Sequence, residues 1–425
     1  SDYIAWGEAA SGDLVIDPGM WSIDNFGDKI IALIHNAQVF EWDSNATNAV
    51  ANRATIISGA PTASRDMLVS TPDRHLVFFG TETTIGDPTT QDEMFIRFSN
   101  QEDINTYTPT AVNTAGTQRL ADGSKIVGAV RGRDAMYVWT DTSLFTMRFV
   151  GPPFTFGFQQ IGTNCGLIGQ NAAIEVDGAA YWFSENGFFK YSGNLETMVC
   201  LVEDFVFENL NTTASQLINA GLNNLFGEIT WFYCSQNSTV VDRCVTYNYM
   251  ESSPQRPIWT TGTLNRTTWQ DSSVFGKPHG TDYDATGTSY DVVGNTDGAT
   301  TYYEHETGTD QVKASATTAI TANIESGDFD ISQGGDGEFI MKVRRFIPDF
   351  LSQTGNTQIT LQLRNYSNST QASSPLGPFT ITSSTTKVDT RARGRALSLK
   401  VANTGASQNW KLGTFRLDTQ PDGRR

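Results

Sequence analysis

The sequence is short of the residues on which most enzyme chemistry depends. It has four histidines and four cysteines among 425 residues. No two cysteines form a CxxC pair, which argues against a zinc site. The chain also contains no P-loop, GxSxG, HExxH or GxGxxG motif. We therefore predict no catalytic, cofactor-binding or metal-binding residue, and we expect a protein that is not an enzyme.

Long apolar runs and positive charge are also scarce. No run of apolar residues is long enough to span a bilayer, so we expect no membrane span. Lys and Arg total 29 against 46 Asp and Glu, which gives a formal net charge of −17. A non-specific DNA binder carries the opposite charge, because Lys and Arg must neutralise phosphates. The composition argues against affinity for DNA, and solubility is the simplest reason for the charge.

Short paired strands that end in an aromatic residue recur along residues 1–312. Their terminal aromatics recur at intervals of roughly 40 to 60 residues, which is typical of one propeller blade per repeat. We predict an all-β chain whose body, residues 1–312, is an irregular β-propeller. An array of β-sandwiches is the alternative. The repeated units span Gly27–Asn45, Arg74–Asn100, Lys125–Gly151, Asn171–Gly193, Gly227–Met250 and Gly287–Gly308.

Two segments interrupt this pattern. Val202–Gly221 has apolar stripes at helical spacing, Asn211 as a cap for a second short helix and Gly221 as a stop, so we predict a helical insertion. Lys313–Thr321 is rich in Ala and Thr and reads as a linker. Residues 313–425 then alternate apolar and polar positions, as in Gln358–Leu363, which predicts a C-terminal β-sandwich or jelly-roll-like domain.

Three small clusters have competing interpretations. Cys234 and Cys244 lie on neighbouring predicted strands, where a disulfide or two buried free thiols would fit. Asp282–Gly287 imitates a calcium loop, but Val293 stands where the closing glutamate should be, so we predict an acidic turn. Glu304–Glu306 places two carboxylates on one strand face, unlike the opposed pair of a glycosidase, and we predict a solvated or interface edge.

Two segments are candidates for a subunit interface. Gly151–Phe158 contains Pro152 and Pro153 followed by alternating aromatics, among them Phe154 and Phe156. Either these rings pack in the core at a crossover between blades, or they form an exposed loop that holds a partner subunit. The other segment is the densest basic stretch of the chain, which we expect to pair with carboxylates of a neighbouring subunit: Arg391, Arg393 and Arg395.

Several segments together resemble virion proteins of short-tailed bacteriophages, the tail nozzle or packaged-DNA stabilisation family. The most specific is SLFTMRFVGPPFTFGFQQIGTNCGLIG, which spans Ser143–Gly169. Tyr107 stands where relatives usually have Trp, and Ser1 enters the pattern late, so we expect part of a first blade to be missing. The other similar segments are Trp21–Ala32, Gln101–Gly116, Ala179–Asn194 and Arg391–Arg425.

The resemblance implies a structural subunit of the virion tail. Members of this family are β-propellers with added β-domains that form a ring, a hexamer, below the portal and its adaptor. The ring continues the DNA channel, carries tail fibres or spikes, retains the packaged genome and passes it at ejection without binding it specifically. The alternative function is that of a tail-associated protein that binds a receptor or degrades polysaccharide.

Overall fold

The computed structural model describes residues 20–47, 49, 52–71, 73–272, 274–284, 299–313, 316–332, 338–366, 375–403 and 405–424. The chain divides into two compact units, Ser1–His305 and Glu306–Arg425. The division lies seven residues before the boundary expected from the sequence. In both units the regular secondary structure of the described residues is almost entirely antiparallel strand, so the chain is all-β.

The described residues of the first unit form six small sheets, each made of strands that follow one another in the chain. Sheets one to three comprise β1 (Trp21–Phe26), β2 (Lys29–Ile34), β3 (Val39–Asp43) and β4 (Thr55–Ile56); β5 (Asp66–Val69), β6 (Leu76–Phe79), β7 (Phe95–Phe98) and β8 (Gly116–Arg119); and β9 (Ile126–Arg131), β10 (Met136–Thr140), β11 (Ser143–Gly151) and β12 (Thr155–Thr163). A short 3-10 helix, Pro88–Thr90, precedes β7.

Sheets four to six continue the same up-and-down pattern. They comprise β13 (Ala173–Val176), β14 (Ala179–Ser184), β15 (Gly187–Tyr191) and β16 (Leu195–Thr197); β17 (Asn219–Asn223), β18 (Glu228–Tyr233), β19 (Arg243–Asn248) and β20 (Trp259–Gly262); and β21 (Thr268–Gln270), β22 (His279–Asp284) and β23 (Ala299–Glu304). Part of the last predicted repeat, residues 285–298, lies outside the described residues.

The six sheets are arranged as the blades of an irregular propeller. The first strands of successive sheets contact each other in the order β1, β5, β9, β13, β17 and β21. Apolar clusters join each sheet to the next, from the first sheet to the sixth. Middle strands such as β10 and β14 are buried along their whole length, because neighbouring sheets cover both faces. The propeller prediction is confirmed, and the array of sandwiches is not found.

A buried carboxylate ties the inner strands of the first sheets together. Asp66 in β5 accepts hydrogen bonds from Ser22 Oγ in β1 (2.6 Å) and from Ala129 N in β9 (2.9 Å). It also accepts one from Gln170 Nε2, just before β13 (3.1 Å). Burial raises the pKa of Asp66, and these hydrogen bonds oppose that rise. Four blades therefore depend on one side chain near the propeller's centre.

The predicted helical insertion is shorter than expected. It contains α1 (Glu203–Phe207) and a 3-10 helix, Thr212–Leu217, and it lies between the fourth and fifth sheets. Asn211 caps the second helix through its side chain, as predicted, accepting from Thr213 N (3.1 Å). Gly221 is not a helix stop. It belongs to β17, where a Cβ would lie 2.6 Å from the Trp269 ring, so the close approach of a strand and an indole explains this glycine.

The second unit is a β-sandwich. Its main sheets have the strand orders β26-β32-β29-β30 and β31-β27-β34, and both contribute to one apolar core. The predicted linker is wrong, because β24 and β25 pair there as a hairpin. The strands are β24 (Asp310–Lys313), β25 (Ala316–Ala319), β26 (Asn323–Glu325), β27 (Met341–Ile347), β28 (Phe350–Thr354), β29 (Thr357–Arg364), β30 (Leu376–Ile381), β31 (Val388–Gly394), β32 (Ala396–Ala402), β33 (Asn409–Leu412) and β34 (Arg416–Pro421).

Candidate interaction surfaces

Among the described residues of the body, the hairpin of β11 and β12 has the longest strands, so its turn projects. Each of its strands has nine residues, whereas the other body strands have two to six. Strand β11 is buried at its start and exposed towards the turn, whereas β12 is buried at its first two residues and more exposed further along. Phe154 at the turn is 77% exposed, and Phe149 and Val150 beside it are also exposed. The turn is therefore an apolar tip in contact with solvent.

The base of this tip is fixed by a buried histidine. The His75 ring lies 5.1 Å from the Phe156 ring and 5.7 Å from the Phe149 ring. Its Nδ1 is 2.6 Å from Asp73 Oδ2, and its Nε2 is 2.9 Å from Thr114 Oγ1. The arrangement has the form of a catalytic triad, but the histidine is fully buried and packs against aromatic rings. Its evident role is to position the hairpin.

The predicted interface residues of this loop differ in their exposure to solvent. Pro152, Pro153 and Phe154 are exposed and form the tip itself. Phe156 is 5% exposed and packs against Phe98 at 4.9 Å between ring centroids. Phe156 is thus a core residue and is not available to a partner. The core interpretation therefore holds for Phe156, the tip is exposed, and a partner subunit at the tip stays a prediction.

The predicted basic segment lies at the end of β31, with Arg395 between β31 and β32. Arg393 is exposed and pairs with Asp422 of its own chain (2.6 Å), which satisfies it without a neighbour. Arg395 donates to the carbonyl oxygen of Glu338 (3.1 Å). Arg391 is exposed on the same face of β31 and forms no ion pair with the described residues. Of the three arginines, Arg391 is the one most accessible to a carboxylate of another subunit.

The first sheet has an exposed apolar face that the sequence pattern does not predict. The strand register places these residues on the side away from the second sheet: Trp21, Ile23, Ile30, Ala32, Ile34, Phe40, Trp42 and Ile56. Ile23 is 65% exposed and Ile56 is 55% exposed. The opposite side buries Ile31, Leu33 and Val39 against the second sheet. Finding this face requires the register of four strands, because each strand alone reads as half-buried.

The sixth sheet also has an exposed side, but its chemistry differs. Thr268, Gln270, Thr300, Tyr302 and Glu304 lie there. Glu304 pairs with Lys277 (3.1 Å), and strand β23 ends at Glu304, so Glu306 lies beyond the strand. This side is polar apart from its aromatic rings, in contrast to the first sheet's apolar face.

A buried polar cluster occupies the other side of the sixth sheet. Asp282 accepts hydrogen bonds from Tyr303 Oη and Thr301 N, both at 3.0 Å, and the Arg266 guanidinium stacks 4.0 Å from the Tyr303 ring. Arg266 Nε donates to His305 Nε2 (2.9 Å). Burial, then the positive charges of Arg266 and His279, lower the pKa of His305 to about 4. The rest of the predicted calcium-like turn, residues 285–287 and Val293, lies outside the described residues.

The described residues were also searched for reactive cysteines, metal-ligating clusters and membrane-spanning helices. Cys165, Cys200, Cys234 and Cys244 are all free thiols, and burial raises the pKa values of Cys200 and Cys234 to about 11. No group of three or more metal-ligating side chains is found among the described residues. Within the same residues, no helix has the length and apolar character needed to cross a membrane.

Comparison with known proteins adds little to this picture. The chain matches no protein-family model and no curated protein. BamB from Moraxella catarrhalis is similar with a TM-score of 0.31 and 9% identity, over 61% of this chain and 78% of that one. Apo AztD from Citrobacter koseri gives 0.32 and 9%, over 58% and 72%. An exo-β-1,3-galactanase from Phanerochaete chrysosporium gives 0.30 and 11%, over 94% of each. Such low values carry no argument about function.

Proposed function

We propose that this chain is a structural subunit of the tail nozzle of a short-tailed bacteriophage. In this role it forms a ring of six copies below the portal and adaptor proteins, and it lies in the virion tail. The ring continues the DNA channel, retains the packaged genome, passes it at ejection and carries tail fibres or spikes. The chain makes and breaks no covalent bond.

The observation that carries the proposal is the projecting tip of the β11–β12 hairpin. The segment with the most specific resemblance to nozzle proteins, Ser143–Gly169, contains this hairpin, and Phe154 at its turn is the ring most exposed to solvent there. An apolar tip on a rigid base favours assembly over catalysis, because it offers a contact and no enclosed site.

The charge of the chain fits a conduit. A net charge of −17 per chain becomes about −100 in a ring of six. Contacts from Lys or Arg to phosphate would hold the duplex in the channel, whereas acidic walls repel it. We infer that loops facing the channel carry part of this acid.

Imaging of the assembled particle tests the proposal. The purified chain is measured by native mass spectrometry, and its position in the virion is determined by electron microscopy with an antibody against the chain. We expect a closed ring and a label between the adaptor and the distal end of the tail. A monomer that hydrolyses host polysaccharide, or a label on the fibres alone, would support the alternative of a degrading or receptor-binding protein.

A further inference from the structure

The tip of the β11–β12 hairpin lies beside a second exposed loop, the connection between β7 and β8. Thr155, directly after the tip, donates through Oγ1 to the carbonyl oxygen of Thr114 in that loop (3.1 Å). The Oγ1 of Thr114 is 2.9 Å from His75 Nε2, so one buried ring fixes both loops. Val112, two residues before Thr114, is 96% exposed, and Phe154 is 77% exposed. Two apolar loops therefore reach solvent side by side.

Neither loop carries a charged side chain. Residues 104–118 and 149–174 contain no Lys, Arg, Asp or Glu, in a chain of which these residues make up 18%. The hairpin has one charged residue, Arg148, which is exposed and lies two residues before Val150 on the same side of β11. An apolar apex with a cation at its base matches a lipid bilayer, where acyl chains lie beneath a layer of phosphates.

The surrounding charges do not repel such a surface. Up-and-down strand order places the turns of the second and third sheets that follow their first and third strands at one end of the body. Asp73, in one of these turns, is buried beside His75. The other charged residues of these turns and of the hairpin are three basic and three acidic ones: Arg74, Arg133, Arg148, Glu102, Asp103 and Asp134. This end is therefore close to neutral, although the whole chain has a charge of −17.

The two loops also present few backbone donors. Pro152 and Pro153 at the tip have no N–H group. In the second loop Thr110 N donates to Asn113 Oδ1 (2.9 Å), and Val112 N donates to Thr110 Oγ1 (3.4 Å). A protein partner could offer acceptors to free N–H groups, whereas acyl chains cannot, and an unpaired donor there is costly. The scarcity of donors therefore favours lipid as the contact.

The size of the tip also favours lipid. Arg148–Gly151 continue β11 beyond Met147, the last residue that pairs with β10, so the hairpin rises roughly 14 Å beyond that pairing at about 3.4 Å per residue. A stable protein interface buries about 800 Å² on each partner, which is more than one narrow turn provides. A bilayer needs no matching surface, and shallow insertion reaches about 5–10 Å into it.

We propose that the β11–β12 tip and the β7–β8 loop insert shallowly into a lipid bilayer. Phe154 and Val112 lie at the boundary of the acyl chains, and Arg148 contacts the lipid phosphates. The tip remains a contact surface, as in the proposed function, but its partner is lipid and not a neighbouring subunit. The inference goes beyond the proposed ring and does not depend on it.

Flotation with vesicles tests the insertion. The purified chain is mixed with phosphatidylcholine vesicles, and we expect it to float with them. F154A should weaken this binding about tenfold or more, because the transfer of one phenyl group out of water is lost. R148E should weaken it as well, because a carboxylate is repelled by phosphate, whereas R148K should keep most of it.

A fluorescent label at the tip tests the depth. F154C carries a polarity-sensitive dye on a C200S background, which removes the half-buried native thiol. Its fluorescence should rise with vesicles and be quenched by spin-labelled acyl chains. L201C on the same background is the control and should not respond, because Leu201 is equally accessible but lies in the connection between the fourth and fifth sheets, at the other end of the body.

The outcomes separate this inference from the proposed function. Equal flotation of F154A and wild type, or a dye at residue 154 that vesicles do not affect, would show that the inference is wrong. If that dye responds when subunits associate without vesicles, the tip contacts a neighbouring subunit, so the inference is wrong and the ring stands. If native mass spectrometry finds only monomers that still float through Phe154, the ring fails and the inference stands.

Discussion

Single buried polar residues hold the propeller together at its centre. Asp66 accepts hydrogen bonds from three elements besides its own strand, and it is 4% exposed. The sequence RDMLV around Asp66 is typical of an ordinary strand with one acidic residue. The pattern therefore does not predict the hydrogen bonds that Asp66 accepts. Only the arrangement of four blades brings Ser22, Ala129 and Gln170 to this carboxylate.

Replacement of Asp66 by alanine should destabilise the body strongly. Four buried donors, Met67 N among them, lose this acceptor. Each unsatisfied donor costs about 1–3 kcal/mol, so we expect a loss of about 3 kcal/mol or more in the free energy of unfolding. Urea unfolding followed by tryptophan fluorescence measures it. Asp134→Ala, at an exposed position, is the control and should change the value by less than about 0.5 kcal/mol. Equal midpoints for the two variants would contradict the role of the network.

His305 should make the stability of the body depend on pH. Its folded pKa of about 4 lies below its ordinary value of 6.5, so between these values the unfolded chain binds the proton more readily. We expect stability to be fully present above about pH 6.5 and to fall as the pH drops towards 4. In His305→Gln the amide oxygen accepts from Arg266 without titrating, so this decline should be smaller. Identical pH profiles of wild type and variant would show that another group is responsible.

At the scale of elements, the hairpin of β11 and β12 combines two roles. Phe156 packs on Phe98 and His75, whereas Phe154, two residues earlier, points into solvent. Thr155 between them has φ +59°, so the chain turns there and the simple alternation of a strand does not apply. The sequence pattern of alternating aromatics therefore could not tell which ring is buried.

Truncation of the two phenylalanines should change the free energy of unfolding by very different amounts. Phe156→Ala removes a buried ring and should lower the free energy of unfolding by about 3–5 kcal/mol. Phe154→Ala should change it by less than about 0.5 kcal/mol, because the ring is exposed. Thermal unfolding of the matched pair measures both values in the monomer. A large loss of stability in the Phe154 variant would mean that the tip belongs to the core.

The sequence pattern predicts a strand well where one face of the strand is buried and the other is not. Gln358–Leu363 alternates, and β29 shows strict alternation of buried and half-buried residues. Ala316–Ala319 lacks large apolar residues, so its sequence predicts a linker. It nevertheless pairs with β24, because backbone hydrogen bonds do not require an apolar face. The helical segment predicted over Val202–Gly221 extends too far. Its last residues, from Asn219, belong to β17, because apolar residues near Ile218 fit a strand as well as a helix.

At the scale of the whole molecule, the propeller was predictable but its open sides were not. The spacing of aromatic strand ends reports a blade repeat, because each blade must bury one set of rings. Which side of the first sheet remains exposed depends on the register of β1 with β2, β3 and β4. The basic segment likewise read as an interface, whereas Arg393 is satisfied by Asp422 once the sandwich is formed.

The net charge leads to the last prediction. With a formal charge of −17, the chain should not retain a linear duplex even at about 10 mM salt, where electrostatic attraction is strongest. Electrophoretic mobility and fluorescence anisotropy measure this on the assembled ring. Binding whose affinity falls steeply with salt would contradict an acidic conduit. Arg391→Ala and Arg393→Ala would then show whether β31 is the source, because loss of binding in these variants alone would place a phosphate contact on the exposed side of that strand.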